Sequence, residues 1–288
     1  MSLKISIVTP SFNQGEFLEA CIQSVLNQQY PHLEYVVMDG GSRDKSPAII
    51  QKYAKQLHDF RIGPDTSQYH ALNKGFALTR GNKADIMGWL NSDDIYMPWS
   101  FSIISEIFSK FPQVEWLSTI FPILWNQKGI PCRTIERDKF SVAEFYAGRN
   151  CGINHLQQES TFWRRSLWER AGGKISTKYS LAGDFELWAR FFQHAHCYGV
   201  TTILGGFREH DRQKTYKHML KYINEAKLIL GHFRGRLPHG YLRRHGLIST
   251  LARILGKRDL FRSRNWLAPN SFIVFDRQNG WKIYGPSI

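Results

Sequence analysis

The chain holds no apolar run approaching the roughly 18 residues that a membrane-spanning helix requires, so no such span is expected. Cysteine is scarce. Cys21, Cys132, Cys151 and Cys197 form no Cys-x-x-Cys pair, which argues against a zinc site or a disulfide framework and for reduced, small apolar side chains. No Gly-x-Gly-x-x-Gly follows the first strand-like run, and no Gly-x-x-x-x-Gly-Lys-Ser/Thr occurs anywhere. Nicotinamide dehydrogenases and P-loop NTPases are thereby excluded. Met1-Ser2-Leu3-Lys4 leads straight into a strand-like segment, so no signal peptide is read and a cytoplasmic location is expected.

Acidic residues are also short, 24 against 38 Lys and Arg, for a net charge of +14 over 288 residues. The excess is local. Residues 1–207 carry 21 basic and 19 acidic side chains, whereas residues 208–288 carry 17 and 5. Such a tail fits an anionic partner, either a membrane surface or nucleic acid. Within 241–258, Leu247, Ile248, Leu251, Ile254 and Leu255 fall at helical spacing among Arg243, Arg244, Arg253, Lys257 and Arg258. That pattern suits a peripheral helix on the inner face of a membrane, and equally a helix packed on its own domain. Hydrophobic residues at 42% and charged ones at 22% otherwise describe a soluble globular protein.

Strands and helices alternate through the first 125 residues. Ile5–Thr9 and Glu34–Met38 read as buried strands, Asp85–Leu90 as a third, with helical patterns over 16–28, 46–57, 68–79 and 98–110. This predicts an α/β fold, a Rossmann-like, mostly parallel central sheet with helices on both faces. Beyond residue 125 the pattern becomes irregular, then helical over 166–171, 184–193 and 214–230. Gly231–Pro238 is the expected break before the basic tail.

In such a sheet, ligands bind past the carboxyl ends of the strands, where Ser11-Phe12-Asn13, Asp39-Gly40-Gly41 and Asn91-Ser92-Asp93-Asp94 fall. Two adjacent carboxylates repel each other, and a hard cation such as Mg²⁺ or Mn²⁺ relieves the repulsion. A solvated turn before Pro98 would use the same residues. Asp39 is placed to accept from a nucleobase N–H, or simply to close a tight turn.

Taken in order, ISIVTPSFN (5–13), SVLNQQY (24–30), EYVVMDGGSRD (34–44), QYHALNKG (68–75) and GWLNSDD (88–94) resemble the family 2 glycosyltransferases of the GT-A fold. The resemblance extends over about residues 4–215. It implies transfer of a sugar from a nucleotide-sugar donor, a UDP-sugar for preference, with inversion, onto a glycan or polyprenyl-linked glycan acceptor. Ser92-Asp93-Asp94 then corresponds to the family's metal motif, with Asp94 as direct ligand of Mn²⁺ or Mg²⁺ and Asp93 on the donor. Asp39 would pair with the base, Phe12 and the Pro10 backbone would line its pocket, and Lys74 would lie near the nucleotide. KYSLAGDFELWAR (178–190) resembles the catalytic-base segment and puts Asp184 at the base position, with Gly183 where a Glu is commoner. The same Asp184 would also cap the helix that follows. Glu186, about 200° round that helix, is the alternative. FREHDRQKT (207–215) suggests His210 at the metal or diphosphate, or equally a partly exposed surface histidine. Gln157–Ser160 and Trp163 lie in a stretch used around the acceptor, where Trp163 would stack on a sugar or, as is more usual for Trp, lie in the core.

On this reading residues 1–125 form the nucleotide-sugar half and 126–230 the acceptor and catalytic-base half of the same domain. Residues 231–288 form a helical basic C-terminal extension. The competing readings are a sugar-phosphate nucleotidyltransferase, whose phosphate loop is missing from Thr9–Gly15, and a basic nucleic-acid-binding module, which shows no recognised signature. No specific nucleic acid is expected.

Overall fold

The computed structural model describes residues 3–134, 140, 142–148, 156–234 and 272–284. The first half alternates as its apolar runs require: β1 (Ile5–Ser11), α1 (Leu18–Leu26), β2 (Leu33–Asp39), α2 (Ser46–Tyr53), β3 (Asp59–Ile62), α3 (Gln68–Leu78) and β4 (Ile86–Trp89). A short β5 (Ile95–Tyr96), α4 (Ser100–Lys110), β6 (Trp116–Thr119), β7 (Ile123–Trp125), β8 (Pro131–Thr134) and α5 (Val142–Ala147) follow. The second half adds β9 (Thr161–Arg164), α6 (Arg165–Arg170), α7 (Gly183–Phe191), β10 (Cys197–Val200) and β11 (Gly205–Arg208). It closes with α8 (Lys214–Lys217), α9 (Met219–Arg234), β12 (Phe272–Asp276) and β13 (Gly280–Tyr284).

Nine strands form one sheet in the order β13-β12-β10-β6-β9-β4-β1-β2-β3. The pairs β1–β2, β1–β4, β2–β3, β6–β10 and β10–β12 are parallel. β9 runs antiparallel between β4 and β6, and so stitches the second half of the chain into the middle of the sheet. A smaller sheet, β5-β11-β7-β8, stands beside it.

The expected α/β sheet with helices is therefore present, with two differences. The stretch after residue 125 is richer in strands than its pattern suggests, because short strands such as Thr161–Arg164 are buried on both faces and show no alternation. Gly231 lies inside α9 rather than at a break. Of the expected helical extension, the described part is the β12–β13 hairpin at the sheet edge; the basic stretch 241–258 lies outside the described residues. Among those residues, no helix is long and apolar enough to cross a membrane. Cys21 and Cys197 are buried as expected, whereas Cys132 is exposed on β8; Cys151 lies outside the described residues.

One face of the sheet carries an aromatic core. The Trp89 and Trp188 rings stack with centroids 5.7 Å apart, and Trp163 meets Trp89 at 5.5 Å in an edge-on arrangement. These contacts lock α7 onto β4 and β9. On the same face α3 crosses β1 closely at Gly75, where an added Cβ would press into the stiff, branched Val8 side chain and stand 3.0 Å from Met38 Cγ. Gly75→Ala is expected to cost about 1–3 kcal/mol through overpacking, read as a lowered denaturation midpoint; an unchanged midpoint would mean that α3 rides higher than described.

Candidate active site

The carboxyl ends of β1, β2 and β4 open onto one rim. Phe12, just past β1, is 56% exposed, and Gly40 packs beneath it, an added Cβ lying 3.2 Å from the ring. Pro10 is buried opposite Met38 within the β1–β2 ladder. Asn13 ties the two loops together: its amide donates to Ser42 Oγ (2.7 Å) and its side chain accepts from Arg43 N (2.9 Å).

Asp39 ends β2 and is buried. Its Oδ1 accepts from the backbone amides of Gly41 (3.1 Å) and Ser42 (2.7 Å), and Oδ2 accepts from Ser42 Oγ (2.7 Å). The turn-closing role is thus real. It uses three of the carboxylate's four acceptor sites, so Oδ2 keeps one for a further donor.

The loop after β4 is organised by Asn91. Its side-chain amide donates to Asp94 Oδ2 (3.3 Å) and to Gln158 Oε1 (3.0 Å), and its Oδ1 accepts from Gln68 Nε2 (2.8 Å). Asp94 is fully buried, and its Oδ1 accepts from Arg208 N (3.0 Å). Burial, with the neighbouring charges of Asp93 and buried Glu159, drives its pKa well above the ordinary carboxylate value. Asp93 keeps some exposure, and its Oδ2 lies 3.0 Å from His210 Nε2. Arg212 N donates to His210 Nδ1 at 3.3 Å, so the neutral ring carries its proton on Nε2, facing Asp93. Phe17 backs this pair, its ring centroid 4.6 Å from that of His210 and 5.0 Å from the Arg208 guanidinium. That guanidinium donates to Asp93 O (2.7 Å) and Gln127 O (3.0 Å), leaving both carboxylates without a cationic side-chain partner from Arg208.

This geometry redistributes the expected metal ligands. Asp94 was expected to bind a cation directly, yet its oxygens are sealed and engaged. Asp93 is the more exposed carboxylate, whereas His210, expected at the metal or diphosphate, is buried behind it with both ring nitrogens engaged. Among the described residues, no group of three or more His, Cys, Asp or Glu is set as a cation cage. A hard cation here would take one or two protein ligands and complete its shell from phosphate oxygens and water, the usual arrangement for such ions beside phosphates. The residues fit that mode.

Asp184 lies in the first turn of α7, where Ala182 is the N-cap and offers no capping side chain. Its Oδ1 accepts from Phe185 N at 2.8 Å. Burial raises its pKa from 3.8 to about 6, against the pull of that hydrogen bond, and the Glu225 charge adds to the rise. The base of α3 connects this residue to the loop after β4. Tyr69 OH donates to Leu181 O (2.6 Å), the neighbouring Gln68 reaches Asn91, and the Tyr69 ring lies where a Cβ on Gly183 would stand at 2.6 Å. Glycine at 183 is thus required by the ring above it.

Three expectations need correction or refinement. Trp163 cannot stack on an acceptor, because it is fully buried in the aromatic core. Glu186 is not free to act, because its carboxylate is held bidentately by Arg190 (2.8–3.1 Å), on the other side of α7. Lys74 pairs with Asp65 at 2.9 Å, an oxygen it shares with His70 Nδ1 at 2.7 Å. The sequence names Asn91 and Gln68 only as members of motifs and gives no sign of Glu225, and the burial of Gln158 and Glu159 beside Asn91 and Asp94 is seen only in the fold. A polar residue directly after a buried strand was the available signal for Asn91.

Residues 6–120 match the family model described as Glycosyl transferase family 2. An uncharacterized glycosyltransferase of Rickettsia typhi is 24% identical over 239 residues, 81% of this chain and 72% of that protein. A second, from a Nostoc species, is 30% identical over 143 residues, 48% of this chain and 43% of its own length. Among solved structures, S. aureus TarS 1–349 in complex with UDP-GlcNAc superposes with a TM-score of 0.58 at 14% identity, over 74% of this chain and 61% of that one. At that identity the likeness speaks for the GT-A fold.

Proposed function

We propose that the chain, whose residues 6–120 match the Glycosyl transferase family 2 model, acts as a glycosyltransferase of that family and transfers a sugar, with inversion, from a UDP-sugar to a hydroxyl of a glycan or lipid-linked glycan. The observation that carries this reading is the placing of Asp39 and the Asp93–His210 pair past the ends of β2 and β4, together with the link through Gln68 and Tyr69 from the loop after β4 to the entry of α7, the helix that bears Asp184. Structural neighbours were solved with UDP-GlcNAc, with GDP-mannose and Mn²⁺, and with UDP and Mn²⁺, which supports a nucleotide-sugar donor and a divalent cation.

In this reading the exposed Phe12 ring and the remaining Oδ2 lone pair of Asp39 receive the base, while Pro10 lines the pocket floor. Lys74, held by Asp65, contributes positive charge beside the nucleotide. Asp93, braced by the Nε2–H of His210, would hold a divalent cation, and a bound cation would stabilise negative charge on the diphosphate. Asp184 takes the proton of the acceptor hydroxyl as its oxygen bonds to the anomeric carbon and the bond from that carbon to the diphosphate oxygen breaks. A carboxylate with a pKa of about 6 is matched to that task near neutrality.

Base catalysis requires the ionised form, so turnover should rise about tenfold per pH unit below pH 6 and flatten above it. Asp184→Asn is expected to lose about 10²–10⁴-fold in turnover while keeping its donor response. Full turnover in that variant would reject the base. Thermal shifts with UDP and Mn²⁺ test the cation site by ligand linkage. Asp93→Asn should abolish the Mn²⁺-dependent part and Asp94→Asn should keep it; the reverse pattern would restore Asp94 as the ligand.

A peripheral association with an anionic membrane is part of the proposal. The basic segment 241–258 motivates it, and α9 adds a described surface. Leu220 and Leu228, 78% and 68% exposed, share the outer face of that helix with exposed Lys221 and Lys227. Flotation with phosphatidylglycerol vesicles should carry the protein at low salt and not with neutral phosphatidylcholine; equal behaviour on both would remove the membrane from the account.

A further inference from the structure

Glu225 lies on the inward side of α9, 41 residues after Asp184, and meets the segment that leads into α7. Its Oε1 accepts from Ser180 N (3.1 Å) and Ser180 Oγ (2.8 Å), and its Oε2 from Leu181 N and Ala182 N, each at 2.9 Å. Burial acts to raise its pKa, but these bonds outweigh it and hold the carboxyl below its ordinary value. All four acceptor sites of the carboxylate are filled by one three-residue stretch.

That stretch has no local means of satisfying itself. Ala182 occupies the N-cap of α7 without a capping side chain, and a helix start leaves its first amides unpaired. Glu225 pairs the N-cap amide of Ala182 and the two amides before it from another helix. On the carbonyl side the same stretch is held by Tyr69 OH at Leu181 O, and further upstream Asn73 clasps both the amide and the carbonyl of Ile175 at 2.8 Å. The entry to α7 is therefore pinned on its N–H face by α9 and on its C=O face by α3. Asp184 follows two residues after the last pinned amide.

We propose that Glu225 is a positioning residue for the catalytic base, fixing Ser180–Ala182 so that the first turn of α7 presents Asp184 to the acceptor. This rests on the reading of Asp184 as base. A carboxylate is required because only an acceptor with four sites satisfies three amides and a hydroxyl at once. Glutamine offers one carbonyl oxygen and turns an NH₂ toward donors; alanine offers nothing. The ionisable groups facing Asp184 from the packed elements are Tyr69 on α3 and Glu225 itself on α9. Glu186 on its own helix is neutralised by Arg190.

The test uses the full chain with Glu225→Ala and the near-isosteric Glu225→Gln. Hydrogen exchange over 178–184, the thermal shift with UDP and Mn²⁺, and turnover of the sugar nucleotide that stabilises the protein most are measured together. The expected result is faster exchange in 178–184 with α1 and α3 unchanged, an unaltered UDP–Mn²⁺ response, and kcat lowered on the order of 10²-fold in Glu225→Ala, with Glu225→Gln between. Exchange unchanged in both variants overturns the proposal, as does wild-type kcat in Glu225→Ala or loss of the UDP–Mn²⁺ response in Glu225→Gln. Asp184→Asn is run alongside. If it keeps wild-type turnover, the base assignment has failed, whereas the exchange arm still reports whether Glu225 holds the segment.

Discussion

The site depends on the side-chain amide of Asn91 and the groups it joins. Its two N–H bonds reach Asp94 and Gln158, and its oxygen takes the Gln68 amide. Those partners come from the loop after β4, the turn before β9 and the start of α3. An uncharged amide can donate and accept at once, as a carboxylate at this position could not. It thereby fixes the loop that aims Asp93 outward while Asp94 is drawn inside. Gln68 carries the constraint onward, since its neighbour Tyr69 grips the entry to α7. Removing Asn91 would leave buried partners unpaired, at a cost of roughly 1–3 kcal/mol per group, and would uncouple the donor side from the base side.

Electrostatically the rim is unbalanced by design of its fold. Asp93, Asp94 and Glu159 lie close together, and the nearby Arg208 spends its guanidinium on backbone oxygens. The compensation available within the protein is His210 on Asp93 and the raised proton affinity of Asp94. Such an arrangement favours an incoming cation, and a cation in turn favours a diphosphate. Asp184 is raised chiefly by desolvation, which on the proposed reading suits it to accept a proton near neutral pH.

The first half of the fold was legible because parallel strands buried on both faces read as unbroken apolar runs between turn residues; β1, β2 and β4 were all placed this way. β9, β10 and β11 were not, being four-residue segments with no period to detect. Asp39, Asp93, Asp94, Asp184 and His210 were singled out from motifs, but the unequal burial of the adjacent Asp93 and Asp94 was not. Adjacent Asp93 and Asp94 look alike in sequence, and only the backbone's turn after Leu90 decides which one is sealed by Arg208 N and Asn91. Trp163 was misplaced for a similar reason, since an aromatic in a short strand gives no sign of the face it occupies. Glu225 was invisible because it resembles any glutamate on an amphipathic helix, and its four partners lie more than 40 residues away.

The account is tested most directly by anomalous diffraction from crystals grown with UDP and Mn²⁺. It requires a single manganese peak on Asp93 with Asp94 still buried, and the Asp184 carboxylate lining the same cleft as the diphosphate. Manganese bound to Asp94 with Asp93 turned away, or Asp184 on the far side of α7 from the nucleotide, would contradict it.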